Sequence, residues 1–310
     1  MKLVIDPWYE VNRLKQKGLL VTKKNTDLLA HFLKNFNINT FINDYSEPFY
    51  LDKTKQTYLP NTKPEEIIAF YKFDKDLGNH LLRDILVIEK IINTTVATEI
   101  INTYNIKDKC LFSLPNSFIE SRILPNLHRI EPKTTYVKFI YKLIKYLPTS
   151  PETRDYIDRN MKDDILKWKK CPLDIVCLTW SFSVSFSLFI ALDTIGQEAI
   201  LKNLDIPHNL IGGFIYFLKN ILLLRNAVSH NAPIFKLRFK AQSNGLNDLY
   251  YFIFKKHIKN ELRLSHIIEL IQYFSGTKML LSRTKYYFDK LAINETVKNK
   301  LNHIFIEDNE

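Results

Sequence analysis

Six consecutive residues carry the chain's clearest chemical potential: Arg225, Asn226, Ala227, Val228, Ser229 and His230. An imidazole titrates close to neutrality, so it can take a proton from a hydroxyl or return one to a leaving oxygen. A guanidinium offers a fixed fork of donors to a phosphate whose charge grows in the transition state. An amide can hold either the phosphate or the imidazole tautomer. On a helix, at about 100° per residue, Asn226 and His230 share a face and Arg225 lies about 140° from His230. A long guanidinium spans that gap near a helix end. The set suits RNA cleavage in which the ribose 2′-hydroxyl is the nucleophile, which needs no metal. A plainer role fits as well, since cations at a helix C-terminus favour its dipole. No cofactor is implied, and His31, His80, His128, His208, His257, His266 and His303 show no metal-ligand spacing with Cys or carboxylates.

The elements that must position these residues read as helices. Seven glycines in 310 residues are few for folds built on glycine-rich turns, and 46% apolar with 13% aromatic residues excludes a disordered chain. The expected fold class is all-α. The hexapeptide closes a very apolar helix expected over Pro207–Ser229. Further helices are expected over Tyr9–Gly18, over Leu28–Phe36 behind an Asn25-Thr26-Asp27 cap, and from Thr62-Lys63-Pro64-Glu65 to about Tyr104, interrupted at Gly78. Pro115, Pro125, Pro132 and Pro148 divide the next stretch, and Pro151–Lys170 is charged and helical in pattern. Then come Thr194–Asn203, Asn247–His257, Ser265–Leu281 and a tail helix, while Asn37–Asn61 reads as an aromatic, packed connection.

Ile175–Leu192 holds no charge over a length at the lower limit of a membrane span, yet it carries four serines and Thr179 and is flanked by Asp174 and Asp193. It reads as a buried helix, although Ser181–Ser187 alternates as a strand would. Three cysteines without a CxxC pair, Cys110, Cys171 and Cys177, fit buried thiols in a reducing cytoplasm, and the start of the chain has no signal-peptide pattern. The expected location is therefore cytoplasmic, with no membrane partner.

A net charge of +11 and a pI near 9.3 point to a polyanion. Lys236, Arg238 and Lys240 alternate with Phe235, Leu237 and Phe239 just after the hexapeptide, and Lys219 precedes it. These four are the candidate RNA-binding cations; the other reading of the alternation is a solvated face over a hydrophobic anchor. Asp74 reads as the anchor of a helix junction, Arg83 and Glu89 as helix-pairing charges. Tyr250-Tyr251-Phe252 and Tyr286-Tyr287-Phe288 read as core more than as base-stacking platforms.

Arg225–His230 after a Leu-rich helix resembles the Arg-x4-His signature of HEPN ribonucleases. Phe70–Leu77 followed by Leu81–Glu89 is similar to a characteristic helix of the Abi-type abortive infection proteins, the AbiD/AbiF-like group. Cys171-Pro172-Leu173 to Phe189 is similar to the helix preceding the catalytic helix of that group, and Leu14–Leu19 resembles its opening. The blocks fall in the group's order and cover about Tyr9 to Lys240. Gly78 stands where the group often has Arg, Asp174 where it often has Trp, and Ser183 where Gly is common.

The resemblance implies a HEPN-like helical bundle with additional N- and C-terminal helices, divided as residues 1–62, 63–240 and 241–310. It implies an RNA-cleaving toxin of anti-phage defence, with Arg225, Asn226 and His230 as catalytic residues. The HEPN active site is made from two facing Arg-x4-His motifs, and this chain has one, so a homodimer would assemble it. Related AbiF-like proteins are held in check by a small non-coding RNA, which makes RNA a plausible inhibitor as well as a substrate. The alternative is a non-catalytic RNA-binding or interaction module with the same fold.

Overall fold

A computed structural model describes residues 6–36, 38–111, 114–115, 118–130, 138–139, 143, 170–239, 245–259 and 261–305. Among them the regular structure is helical apart from one two-stranded antiparallel hairpin, Tyr50–Asp52 with Thr57–Tyr58. The all-α expectation holds. The main helices are α1 (Pro7–Gln16), α2 (Lys23–Asn35), α3 (Pro64–Thr103), α4 (Phe182–Ala191), α5 (Thr194–Asn203), α6 (Ile211–Ser229), α7 (Gly245–Phe254), α8 (Leu264–Ser275), α9 (Leu280–Asp289) and α10 (Glu295–Phe305). The helix expected over Pro151–Lys170 falls outside the described residues apart from Lys170, as do Pro132, Pro148 and Lys240.

Local chemistry sets the helix starts. Asp6 caps α1 by accepting from the Trp8 amide at 3.0 Å. Helix α2 begins behind Thr22, earlier than the Asn25-Thr26-Asp27 cap predicted from the sequence. Asn25 sits inside its first turn, accepting from the Thr22 amide at 2.7 Å and donating to Glu65 at 3.1 Å. Pro64 opens α3 as the pattern predicts, but Thr62 is not its cap: the Thr62 hydroxyl donates to the Leu59 carbonyl at 2.8 Å, and Glu66 accepts from the Lys63 amide at 3.3 Å.

Helix α3 runs unbroken through Gly78, where the sequence predicts an interruption. The glycine serves close packing instead. A Cβ there would lie 3.0 Å from Cδ1 of Ile234 and 3.5 Å from Cγ1 of Val228. The segment that follows the candidate site therefore lies directly on the helix.

Two other expectations are corrected. Ile175–Leu192 is not one helix: a short turn of helix at Leu173–Val176 passes into a tight turn at Cys177–Thr179, and α4 starts only at Phe182. The break is held from α3, where Asn93 donates to the Trp180 carbonyl at 2.9 Å and Glu89 accepts from the Phe182 amide at 2.8 Å. Ser181–Ser187 is helical from Phe182 onward despite its alternation, because α4 is buried on several sides through Phe182, Ser185, Phe186, Leu188 and Phe189. Ser265–Leu281 likewise divides into α8 and α9 at Gly276, whose φ of +68° is the left-handed conformation that ends a helix.

The chain forms two compact units, each discontinuous in sequence. The first comprises Met1–Arg83, Leu224–Phe239 and Leu262–Glu310. Its core includes Leu14, Leu29, Tyr45, Phe49, Phe70, Leu81, Ile267 and Phe288. The second comprises Asp84–Leu223 and Lys240–Glu261, around Ile85, Ile92, Phe182, Phe189, Phe214 and Tyr250.

One stretch among the described residues, His208–Ser229, is long and apolar enough to cross a membrane by length and composition. Ile175–Leu192 is not such a helix, since only Phe182–Ala191 of it is continuous.

Candidate functional site

The hexapeptide occupies the last turn of α6 and its exit, within the first unit. The helix closes by a Schellman arrangement. The Ala232 amide donates to the Ala227 carbonyl at 2.8 Å and the Asn231 amide to the Val228 carbonyl at 3.0 Å, with Asn231 in the left-handed region at φ +57°. Asn tolerates that conformation better than a bulky residue, and Pro233 stops any continuation. This leaves His230 as the last residue before the reversal, its amide still bonded to the Asn226 carbonyl at 3.0 Å. Ala227 is buried and Arg225 half-buried, while Asn226 and His230 are exposed. Among the described residues nothing bonds to the His230 imidazole.

The reversal is clamped by α3. Asp74 is fully buried, and its carboxylate accepts from the amides of Ile234 and Phe235, each at 3.2 Å, and from the Tyr45 hydroxyl at 2.5 Å. The next side chain on the helix, Lys75, donates to the carbonyls of Asn231 at 2.7 Å and Ala232 at 3.3 Å. Its ammonium also lies over the rings of Tyr45 and Tyr71, 5.4 and 5.7 Å from their centroids. Two adjacent side chains thus meet backbone donors and acceptors of the same turn.

Burial pushes the Asp74 carboxyl above its ordinary range, against the opposing pull of Tyr45, the two amides and Lys75. Burial also lowers the Lys75 ammonium, opposed by Asp74 and Asp44. The reading of Asp74 as a junction anchor holds, and the junction proves to be the exit from the hexapeptide.

His230 and Asn231 border a cavity of about 290 Å³. Its aromatic side is a cluster. Phe36 stacks on Phe32, centroids 4.3 Å apart at 22°, and Tyr71 meets both rings edge-on at 5.2 Å. Asn35 and Thr40 line it too. Phe32 is buried but Phe36 is 43% exposed. Burial raises the Tyr71 phenol, opposed by a hydrogen bond from the Asn231 side chain.

Three of the four candidate RNA-binding cations, Lys219, Lys236 and Arg238, lie among the described residues. Arg238 is exposed and lines a second cavity, about 630 Å³, together with Lys53, Lys236, Lys300 and Glu47, which pairs with Lys53 at 2.9 Å. Lys236 is largely committed within the chain, paired with Asp44 at 2.9 Å and Glu47 at 2.8 Å and donating to the Asn43 carbonyl at 2.9 Å. Burial lowers its pKa, but the bonds to Glu47 and Asp44 outweigh that and hold it above the ordinary lysine value. Its alternation with apolar residues therefore marks a tether, with Phe235 packed beside Tyr45 and Phe70. Lys219 belongs to the second unit, exposed, its ammonium 4.9 Å from the Tyr216 ring centroid.

The other singled-out residues are structural or superficial. Glu89, with Asn93, holds the start of α4. Tyr250 is buried, whereas Tyr251, Tyr286 and Tyr287 are exposed, so the aromatic triplets are only partly core. Cys171 and Cys177 are buried, with thiols pushed up by burial to about 12 and about 11, while Cys110 is only half-buried. Asp174 pairs with Lys109 at 2.8 Å. Among the described residues no group of three or more His, Cys, Asp or Glu side chains is placed to hold a metal ion.

Sequence reasoning missed Lys75, Tyr71, Lys53, Lys300 and the Asp44–Glu47 pair. The block Phe70–Leu77 carried a signal for the first two, because it contains Asp74.

Fold and site together define an all-α protein whose candidate chemistry stands at the clamped C-terminus of an apolar helix. The chain belongs to the Abi-like protein family, an abortive-infection family, whose model matches residues 31–236. That span takes in the last turn of α2, the clamp and the whole hexapeptide. No curated protein and no solved structure matches the chain.

Proposed function

We propose that this chain is a HEPN-type, metal-independent endoribonuclease of anti-phage defence, an AbiD/AbiF-like abortive-infection toxin acting in the bacterial cytoplasm. The observation that carries the reading is the uncommitted, exposed imidazole of His230, held at the end of α6 beside Arg225 and Asn226 by a buried clamp, in a chain of an abortive-infection family.

In the reaction, His230 takes the proton of a ribose 2′-hydroxyl, and the oxygen attacks the adjacent phosphorus. Arg225 stabilises the charge on the pentavalent phosphate, and Asn226 orients phosphate or imidazole. The bond from phosphorus to the 5′-oxygen breaks, and that oxygen leaves with a proton. The products are a 2′,3′-cyclic phosphate and a 5′-hydroxyl. The base and the acid are two imidazoles, and one chain supplies one Arg-x4-His motif. A homodimer brings the second His230 to the same phosphate. Arg238, Lys53 and Lys300 line the groove suited to the RNA backbone, and a small folded RNA on that surface would act as inhibitor.

The test is cleavage of total RNA in EDTA by the wild type and by His230→Ala. Cleavage by the wild type and its loss in the variant are expected. Activity that disappears with EDTA, or persists in His230→Ala, contradicts the mechanism. Binding of RNA without cleavage by the wild type favours the non-catalytic module.

A further inference from the structure

The cavity beside His230 combines three features a nucleobase site needs. One is an exposed aromatic ring: Phe36, 43% exposed, stacked on Phe32 and met edge-on by Tyr71. Another is a set of polar groups able to meet the edge of a heterocycle: the Oδ1 of Asn35, whose Nδ2 already donates to the His31 carbonyl at 2.8 Å, and the amide of Asn231. Position is the third, because His230 borders the same cavity. A volume of about 290 Å³ lies at the lower end of small-molecule sites and suits one planar base.

The local charge agrees. Among the described residues that line this cavity there is no carboxylate, lysine or arginine, which suits a neutral, flat, hydrogen-bonding group; Lys53, Lys236, Arg238, Lys300 and Glu47 border the other one. Asn231 is rigid for the same reason that His230 is. Its backbone is held in the left-handed turn and its carbonyl is bound by Lys75. A base bonded to Asn231 would be registered against the imidazole of the preceding residue.

We infer that this cavity is the base-recognition pocket of the ribonuclease, holding by stacking on Phe36 and by hydrogen bonds to the Asn35 Oδ1 and with the Asn231 amide the unpaired base of a nucleotide next to the scissile phosphate. This rests on the ribonuclease reading and adds its substrate class: single-stranded RNA, cut with a base preference. Stacked, splayed-out bases are the usual means of reading RNA, because its helical grooves expose little to a side chain.

The experiment uses the full chain and four 2′-O-methyl tetranucleotides, one per base, which bind but cannot be cleaved. Alongside, cleavage sites are mapped on one unstructured RNA. Phe36→Ala is expected to weaken binding of the preferred tetramer about tenfold. Asn35→Ala is expected to flatten the preference among the four and to blur the mapped sites. Both residues are exposed, so both variants should fold, which circular dichroism checks. Tyr286→Ala, an exposed aromatic of α9, should change neither readout.

If the wild type cleaves RNA but Phe36→Ala and Asn35→Ala leave affinity and site preference unchanged, the pocket is overturned and the ribonuclease stands. If the wild type never cleaves but binds tetramers with a preference that these variants abolish, the pocket stands and the ribonuclease falls. Absence of both cleavage and binding overturns both.

Discussion

Helix α3 does the same job twice, with opposite consequences. In the second unit, Glu89 and Asn93 satisfy the backbone where the chain breaks before α4. The amide and carbonyls they meet belong to buried residues: Phe182, Trp180 and Cys177. In the first unit, Asp74 and Lys75 satisfy the backbone where the chain leaves α6, and their partners lie just beyond His230. The first junction ends in packing. The second spends its polar groups on the backbone and leaves an imidazole facing solvent. Buried polar side chains are costly unless satisfied, so a satisfied one marks a place the fold must hold. What lies next to it tells structural support from support of chemistry.

The sharpest way to break this contrast is His230→Gln. The side chain is exposed, so unfolding should be unchanged, while RNA cleavage should fall about a thousandfold, the range lost with a general acid or base. Rate and thermal melt together check it.

Next come the two anchors. Asp74→Ala strands the Tyr45 hydroxyl and the amides of Ile234 and Phe235, at an expected cost of about 3 kcal/mol in urea unfolding, with cleavage lost as well. Asn93→Ala should cost about 2 kcal/mol, yet leave the specific activity of the folded fraction unchanged. Equal losses of activity in the two variants would erase the distinction between the regions.

A gentler variant, Asp74→Asn, reads out the proton. Burial raises the folded pKa of Asp74 above its unfolded value of about 3.9. Its stabilising contribution is therefore full below the unfolded pKa and is lost as the pH rises through the folded pKa. Asp74→Asn should remove that decline from the stability–pH curve, measured by urea midpoints from pH 3 upward. Smallest of all is Arg238→Ala, which should reduce the salt dependence of RNA binding by about one unit in log–log slope, without altering the melt.

How far the sequence could be read depended on the range of each interaction. The helix types, the start of α3 and the hexapeptide at the end of α6 are local, and their residues announce them. The clamp is not: Asp74 and Ile234 are distant in sequence, and nothing in either neighbourhood names the other. Gly78 reads as a helix breaker by propensity, but the packing of Val228 and Ile234 against it decides otherwise. Lys236 reads as a free cation because its partners, Asp44 and Glu47, lie in an aromatic stretch with no periodic pattern. Ile175–Leu192 reads as one helix because no proline or glycine interrupts it; its break is held by side chains of α3.

The most direct measurement is the chemistry of the cut ends. Purified wild-type chain is incubated with an unstructured RNA in excess EDTA, and the products are resolved by end-specific labelling and mass spectrometry. A 2′,3′-cyclic phosphate on one fragment and a 5′-hydroxyl on the other are expected from attack by the 2′-oxygen under His230. A 5′-phosphate with a 3′-hydroxyl, or no cleavage once metal is removed, would contradict the account.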